Sequence, residues 1–245
     1  MPQYVFGSGT LYAVDSDSNS TPVKFGGLQE ASVDFSFSNK ELYGQNQFPL
    51  TVARGTGKIS GKAKNASVSG ELFNRLFFGG TLATGQLLVA EDEAAVVPAS
   101  PGPYTVTVAN SVNFSQDLGV IDASTGQPLT KVDSTPAAGQ YSVAAGVYTF
   151  AAGDAGKQLK VSYSHNSAST GKQLTITNKL QGQAPTFKVI LSERYNGKAL
   201  TLELNACVSS KLSMPTKSED FMVPEFEFSA CADAAGNIGT LSLAE

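Results

Sequence analysis

The sequence predicts an all-β protein. Apolar and polar residues alternate with a period of two in several segments, turn clusters of Gly, Asn, Ser and Pro separate those segments, and only one stretch carries a helical stripe. With 16% charged and 41% hydrophobic residues, the chain is too apolar for disorder and too evenly mixed for a coiled coil. Its 245 residues can bury a substantial core, as one elaborated domain or two smaller ones.

The start, MPQYVFGSGT, goes straight into a strand-like pattern without an n-region, h-region or cleavage site. No apolar run approaches the roughly 18 residues of a membrane helix. A cytoplasmic site of synthesis is therefore expected, with no membrane anchor. VKFGGLQ (Val23–Gln29) reads as a short strand. Within Ser32–Ser38, Val33, Phe35 and Phe37 alternate with Asp34 and Ser36, the mark of a half-buried strand. An extended polar segment, Asn39–Leu50, follows. Lys58–Val68 resumes the alternation, with Ile59, Gly61 and Ala63 against Lys58, Ser60, Lys62 and Lys64.

The helical stretch begins at Ser69, an N-cap residue, with Glu71 in its first turn. Leu72, Phe73, Leu76 and Phe77 form its apolar stripe and Gly79 stops it. Residues 83–170 differ in texture, being rich in Ala, Ser, Val and Pro. PASPGP (Pro98–Pro103) reads there as a turn or hinge, and strands are expected at Tyr104–Ala109, Gln140–Ala144, Val147–Phe150 and Lys157–Tyr163. Residues 83–170 are read as a β-rich insertion, since strong patterning resumes in similar style on both sides, in 1–82 and 171–245. Leu200, Leu202, Leu204, Ala206 and Val208 then alternate with Thr201, Glu203, Asn205, Cys207 and Ser209. Phe226 and Phe228 alternate with Glu225, Glu227 and Ser229.

Catalytic chemistry finds little purchase. The single histidine, His165, lies in a polar stretch read as a turn, and any Ser–His–Asp or Cys–His arrangement would have to use it. No metal-ligand spacing surrounds Cys207 or Cys231, and no metal or cofactor is expected. GTGKISG (Gly55–Gly61) lacks the spacing of a phosphate loop and reads as a hairpin or bulge. Net charge is −4 with no basic cluster, which disfavours tight nucleic-acid binding. If Ala199–Leu212 and Val223–Ala232 pair around Glu219, Cys207 and Cys231 fall opposite each other on the polar parity. A reduced pair is preferred to a disulfide, because an intracellular product meets reducing conditions.

In order, VKFGGLQ, ASVDFSFS, NKELYGQNQFPL, GKISGKAKNAS and the helix GELFNRLFFG resemble the tail tube (major tail) proteins of tailed bacteriophages, a fold shared with the tubes of contractile injection systems. The final segments, from GQAPTFKVILSERYNGKALTLELNA onward, are similar to that family's closing long strands. GQYSVAAGVYTFAAGDAGKQLKVSY in the insertion resembles β-rich segments of larger phage tail proteins.

The resemblance implies a β-sandwich or barrel subunit with one flanking short helix, assembling into a hexameric ring with an inner β-barrel. Rings would stack into a virion tail tube around a tape-measure protein, between terminator and initiator or baseplate proteins, with DNA only in transit. Asn39–Leu50 resembles the loop that contacts the next ring, with Leu42, Tyr43, Phe48 and Pro49 as anchors and Lys40 and Glu41 as polar partners. The implied lumen residues are Asp34, Ser36, Lys58, Lys62, Glu203, Glu225 and Glu227, of which the lysines depart from a purely acidic lining. Two alternatives stay open: a tube subunit of a contractile bacteriocin or secretion apparatus, and a carbohydrate-binding or adhesin-like β-module suggested by the Ser/Thr/Ala-rich middle. An enzyme is the least favoured reading.

Overall fold

The computed structural model describes residues 4–15 and 21–244, so Met1–Gln3 of the strand-like start lie outside the described residues. In chain order the strands are β1 (Thr10–Asp15), β2 (Val23–Lys24), β3 (Leu28–Tyr43), β4 (Pro49–Asn65), β5 (Leu82–Val96), β6 (Thr105–Thr107), β7 (Phe114–Asp122) and β8 (Thr130–Lys131). They continue as β9 (Gln140–Ala144), β10 (Val147–Phe150), β11 (Gln158–Leu174), β12 (Thr186–Tyr195), β13 (Lys198–Ser213), β14 (Glu225–Cys231) and β15 (Gly239–Leu243). One α-helical segment, α1 (Gly70–Phe73), continues as a π-helical turn over Asn74–Phe78. The protein is all-β, with antiparallel sheets throughout apart from one short parallel pairing of β8 with β9. It divides into two compact units, Met1–Leu82 with Leu174–Glu245, and Ala83–Gln173.

The first unit is built on one open sheet in the order β2-β1-β12-β13-β14-β4-β3, with β15 added to β13. The period-two pattern sends alternate side chains to opposite faces. Accordingly Ile59, Ala63, Leu202, Leu204, Phe226 and Phe228 enter one core with Leu11, Phe187 and Val189. Phe226 packs edge-on to Phe25 at 5.5 Å between ring centroids and lies 5.8 and 6.0 Å from Phe73 and Phe77. Gly61 stands directly across from Phe228, and a Cβ there would fall inside the phenylalanine ring.

Leu72 and Leu76 of the helical segment are buried in this core, and Phe73 and Phe77 pack partly buried against it. The Ser69 hydroxyl accepts the Leu72 N–H at 3.4 Å. Asn74 widens the last turn, since the Gly79 N–H donates to its carbonyl. The Asn74 side chain donates to Gly80 O at 2.8 Å and accepts the Gly80 N–H at 2.7 Å. Gly79 closes the segment at φ 54°, a left-handed conformation suited to glycine.

The second unit has a core of its own, shared between a four-stranded sheet (β6-β10-β9-β8) and a three-stranded one (β5-β11-β7). Tyr141, Tyr148 and Tyr163 are almost wholly buried in it. Asp117 of β7 accepts the hydroxyls of Tyr141 and Tyr148, each at 2.9 Å, which ties one sheet to the other.

Several sequence expectations change here. His165 lies inside β11, opposite Phe114, and not in a turn. Asn39–Leu50 is not an extended loop: β3 runs on to Tyr43, β4 begins at Pro49, and only 44–48 turn between them. The polar composition of this segment concealed a strand that its partner's hydrogen bonds impose. Gly55 and Thr56 together oppose Ser38, so GTGKISG holds a bulge. Phe35 and Phe37 sit on an exposed part of β3, at 53% and 46% exposure, where a half-buried face was expected.

Cys207 leaves its expected parity, because the β12–β13 register shifts between Phe187↔Cys207 and Val189↔Leu204. The shift turns Cys207 into the core, where burial first and the neighbouring Cys231 second push its thiol up to about 12. Cys207 stands opposite Ala230 and Cys231 opposite Ala206, so the two thiols point to opposite faces and are free. A thiol reagent at neutral pH is expected to modify Cys231 rapidly in the folded protein and Cys207 only in denaturant. Equal labelling of both native thiols would contradict this placement.

Candidate assembly surface

Residues directly opposed in an antiparallel pair share a face, so the register sorts the candidate lumen residues. Across β3, β4, β14 and β13 the rows are Glu30–Lys64–Glu225–Ser213 and Ser32–Lys62–Glu227–Lys211. Asp34–Ser60–Ser229 and Ser36–Lys58 continue the series. Glu203 lies between the buried Leu202 and Leu204 and points away from them. All seven predicted residues thus occupy the sheet face opposite the core.

The charges on this face answer one another. Lys64 meets Glu30 at 2.6 Å, Lys188 meets Glu203 at 2.6 Å, Lys211 meets Glu227 at 3.2 Å, and Lys62 pairs with Glu225. The hydrogen bond from Lys64, reinforced by its charge, lowers the Glu30 carboxyl below the usual carboxylate range. Such exposed pairs contribute only about 0–1 kcal/mol each, so their consequence is electrostatic rather than structural. Lys62 is therefore one half of a locally compensated pair, while Lys58 stands on the same face opposite Ser36.

A second surface comes from the β3–β4 hairpin. Among the described residues, β14 pairs with β4 from Ile59 to Lys64, and from Pro49 to Lys58 β4 pairs with β3 alone. The residues from Asp34 to Leu50 are exposed, save a half-buried Pro49. This arm carries Leu42 at 59%, Tyr43 at 56%, Phe48 at 79% and Leu50 at 67% exposure. Arg54 stacks over the Phe37 ring at 3.6 Å, and Phe37 lies across Gly57, which stiffens the root. At the tip the Tyr43 hydroxyl donates to Glu41. Lys40, Glu41, Leu42 and Tyr43 therefore end one strand, Pro49 starts the next, and Phe48 occupies the turn between.

The sequence did not single out the loop between β13 and β14, where Phe221 is 91% exposed and Met214 54%. Its signal was available, as an aromatic isolated in a run of turn formers. Among the described residues, no group of His, Cys, Asp and Glu stands close enough to hold a metal ion, and no helix is long and apolar enough to cross a membrane. Compared with known proteins, the chain matches no family model and no curated sequence.

Proposed function

We propose that this chain is a structural subunit of a bacteriophage tail tube, closing into stacked rings of six that form a conduit for DNA. The observation that carries the reading is the open sheet with one apolar and one ion-paired polar face. Its long strand β3 forms an edge, and its free arm is rich in apolar side chains. Exposed edges of this length invite association, and closure across subunits would remove them. The polar face then lines the lumen and the core face holds the fold. Tyr141, Tyr148 and Tyr163 of the insertion are built into its own core, which disfavours a glycan platform made from them.

Negative-stain microscopy of the concentrated protein at near-physiological salt tests the reading, with rings or hollow tubes of uniform diameter expected. Tyr43→Asp is expected to abolish stacking while leaving stability within about 0.5 kcal/mol, as for an exposed substitution. Persistent monomers, even with the tail initiator and tape-measure proteins added, would overturn the proposal.

A further inference from the structure

The arm has a counterpart at the other end of its own hairpin. β3 runs from Leu28 to Tyr43, which separates the two ends by roughly 50 Å at about 3.3 Å per residue. At the Leu28 end an open groove of about 270 Å³ lies under the β13–β14 loop. Pro215, Phe221 and Val223 supply its apolar lining, and Lys64, Lys217, Asp220 and Glu225 its charges. Lys217 and Asp220 face each other at 3.7 Å with both side chains mostly exposed, a contact weak enough to exchange partners.

We infer that this groove receives the arm tip of a second copy of the chain, with Phe48 entering beside Phe221. The inference rests on the reading of the arm as an assembly surface and names the surface that it meets. A two-stranded hairpin is marginal in water by itself and needs packing against a further element. The tip offers apolar Leu42, Tyr43 and Phe48 flanked by Lys40 and Glu41, and the groove offers apolar residues flanked by Asp220 and Lys217. Lys40 then faces Asp220 and Glu41 faces Lys217. Because the two surfaces differ and stand at opposite ends of one hairpin, the contact is heterologous and repeats head to tail, as stacking requires.

Engineered cysteines beside the anchors test the pairing. Gln47→Cys and Glu219→Cys are made separately in a Cys231→Ser background; both positions are exposed, and Phe48 and Phe221 are retained. Mixed, assembled and oxidised, the two are expected to form a disulfide-linked heterodimer. Its yield should exceed by about tenfold that of Gln47→Cys mixed with Val112→Cys, because docking raises the local thiol concentration. Val112 is a 95% exposed control position on the other unit. Adding Phe48→Asp to the Gln47→Cys chain should return the yield to the control level. Rings or tubes that form without cross-linking above control would overturn this contact and leave the tube reading standing. Absence of any assembly, together with control-level cross-linking, would overturn both.

Discussion

Replacing Phe226 by alanine is expected to destabilise the first unit by about 3–5 kcal/mol, the usual range for a buried phenylalanine. The side chain is 2% exposed and is surrounded by Phe25, Phe73 and Phe77, which come from the segment after β2 and from the helical segment. Its cross-strand neighbours on the core face are Ala63, too small to fill the space, and Leu212, partly buried against the same core. How far Leu212 and the three surrounding rings close over the cavity sets the cost within that range. Urea unfolding followed by far-UV circular dichroism measures it. A loss under about 1 kcal/mol would mean that the helical segment does not close this core. Tyr43→Asp provides the contrast, acting on assembly and not on folding.

Asp117→Asn is expected to destabilise the second unit by about 3 kcal/mol, since hydrogen bonds to a charged acceptor contribute about 1.5–3 kcal/mol each. Burial alone would raise the Asp117 carboxyl. Hydrogen bonds from Tyr141, Lys131, Tyr148 and the Gly119 N–H outweigh it and hold the group below the usual carboxylate range. Lys131 is 53% exposed at 3.1 Å, so most of the loss belongs to the two buried hydroxyls and not to the ion pair.

The pH dependence follows with opposite signs. A lowered carboxyl contributes stability above its unfolded value near 4, which is lost as pH falls through its lower folded value. The phenols of Tyr141 and Tyr148 are raised, first by burial and then by the bonds to Asp117. Their contribution is complete below about pH 10 and is lost as pH rises above it. Thermal melts of the wild type should fall at both extremes, and Asp117→Asn should flatten the acid limb. An acid limb that Asp117→Asn leaves unchanged would assign that dependence to another group.

Where the local pattern and the tertiary context agree, the sequence was readable. Ile59, Gly61 and Ala63, Leu202 and Leu204, and Phe226 and Phe228 take the face that their spacing predicts, because a strand's side chains alternate whatever it pairs with. The helical stripe and its two caps were legible for the same reason. β5, with its Glu91-Asp92-Glu93 run, carries no clean alternation, and it is a strand because β11 pairs with it. His165 likewise sits in a strand through β7 and β11, against the turn chemistry around it.

Composition and periodicity by themselves determined the all-β class, the candidate polar face, the position of the helix and the texture of the insertion, since each rests on neighbours within a few residues. Tertiary structure decided the rest. One register shift put Cys207 in the core and set it apart from Cys231, because slipping by one residue reverses the side chains that follow, here until a second shift between Ser209 and Lys211 restores them. The end of the β14–β4 pairing at Ile59 freed the arm, and the placement of Gln29 and Lys64 near Phe221 made the groove. Those features depend on which strand stops where and on residues far apart in sequence, which no local spacing records.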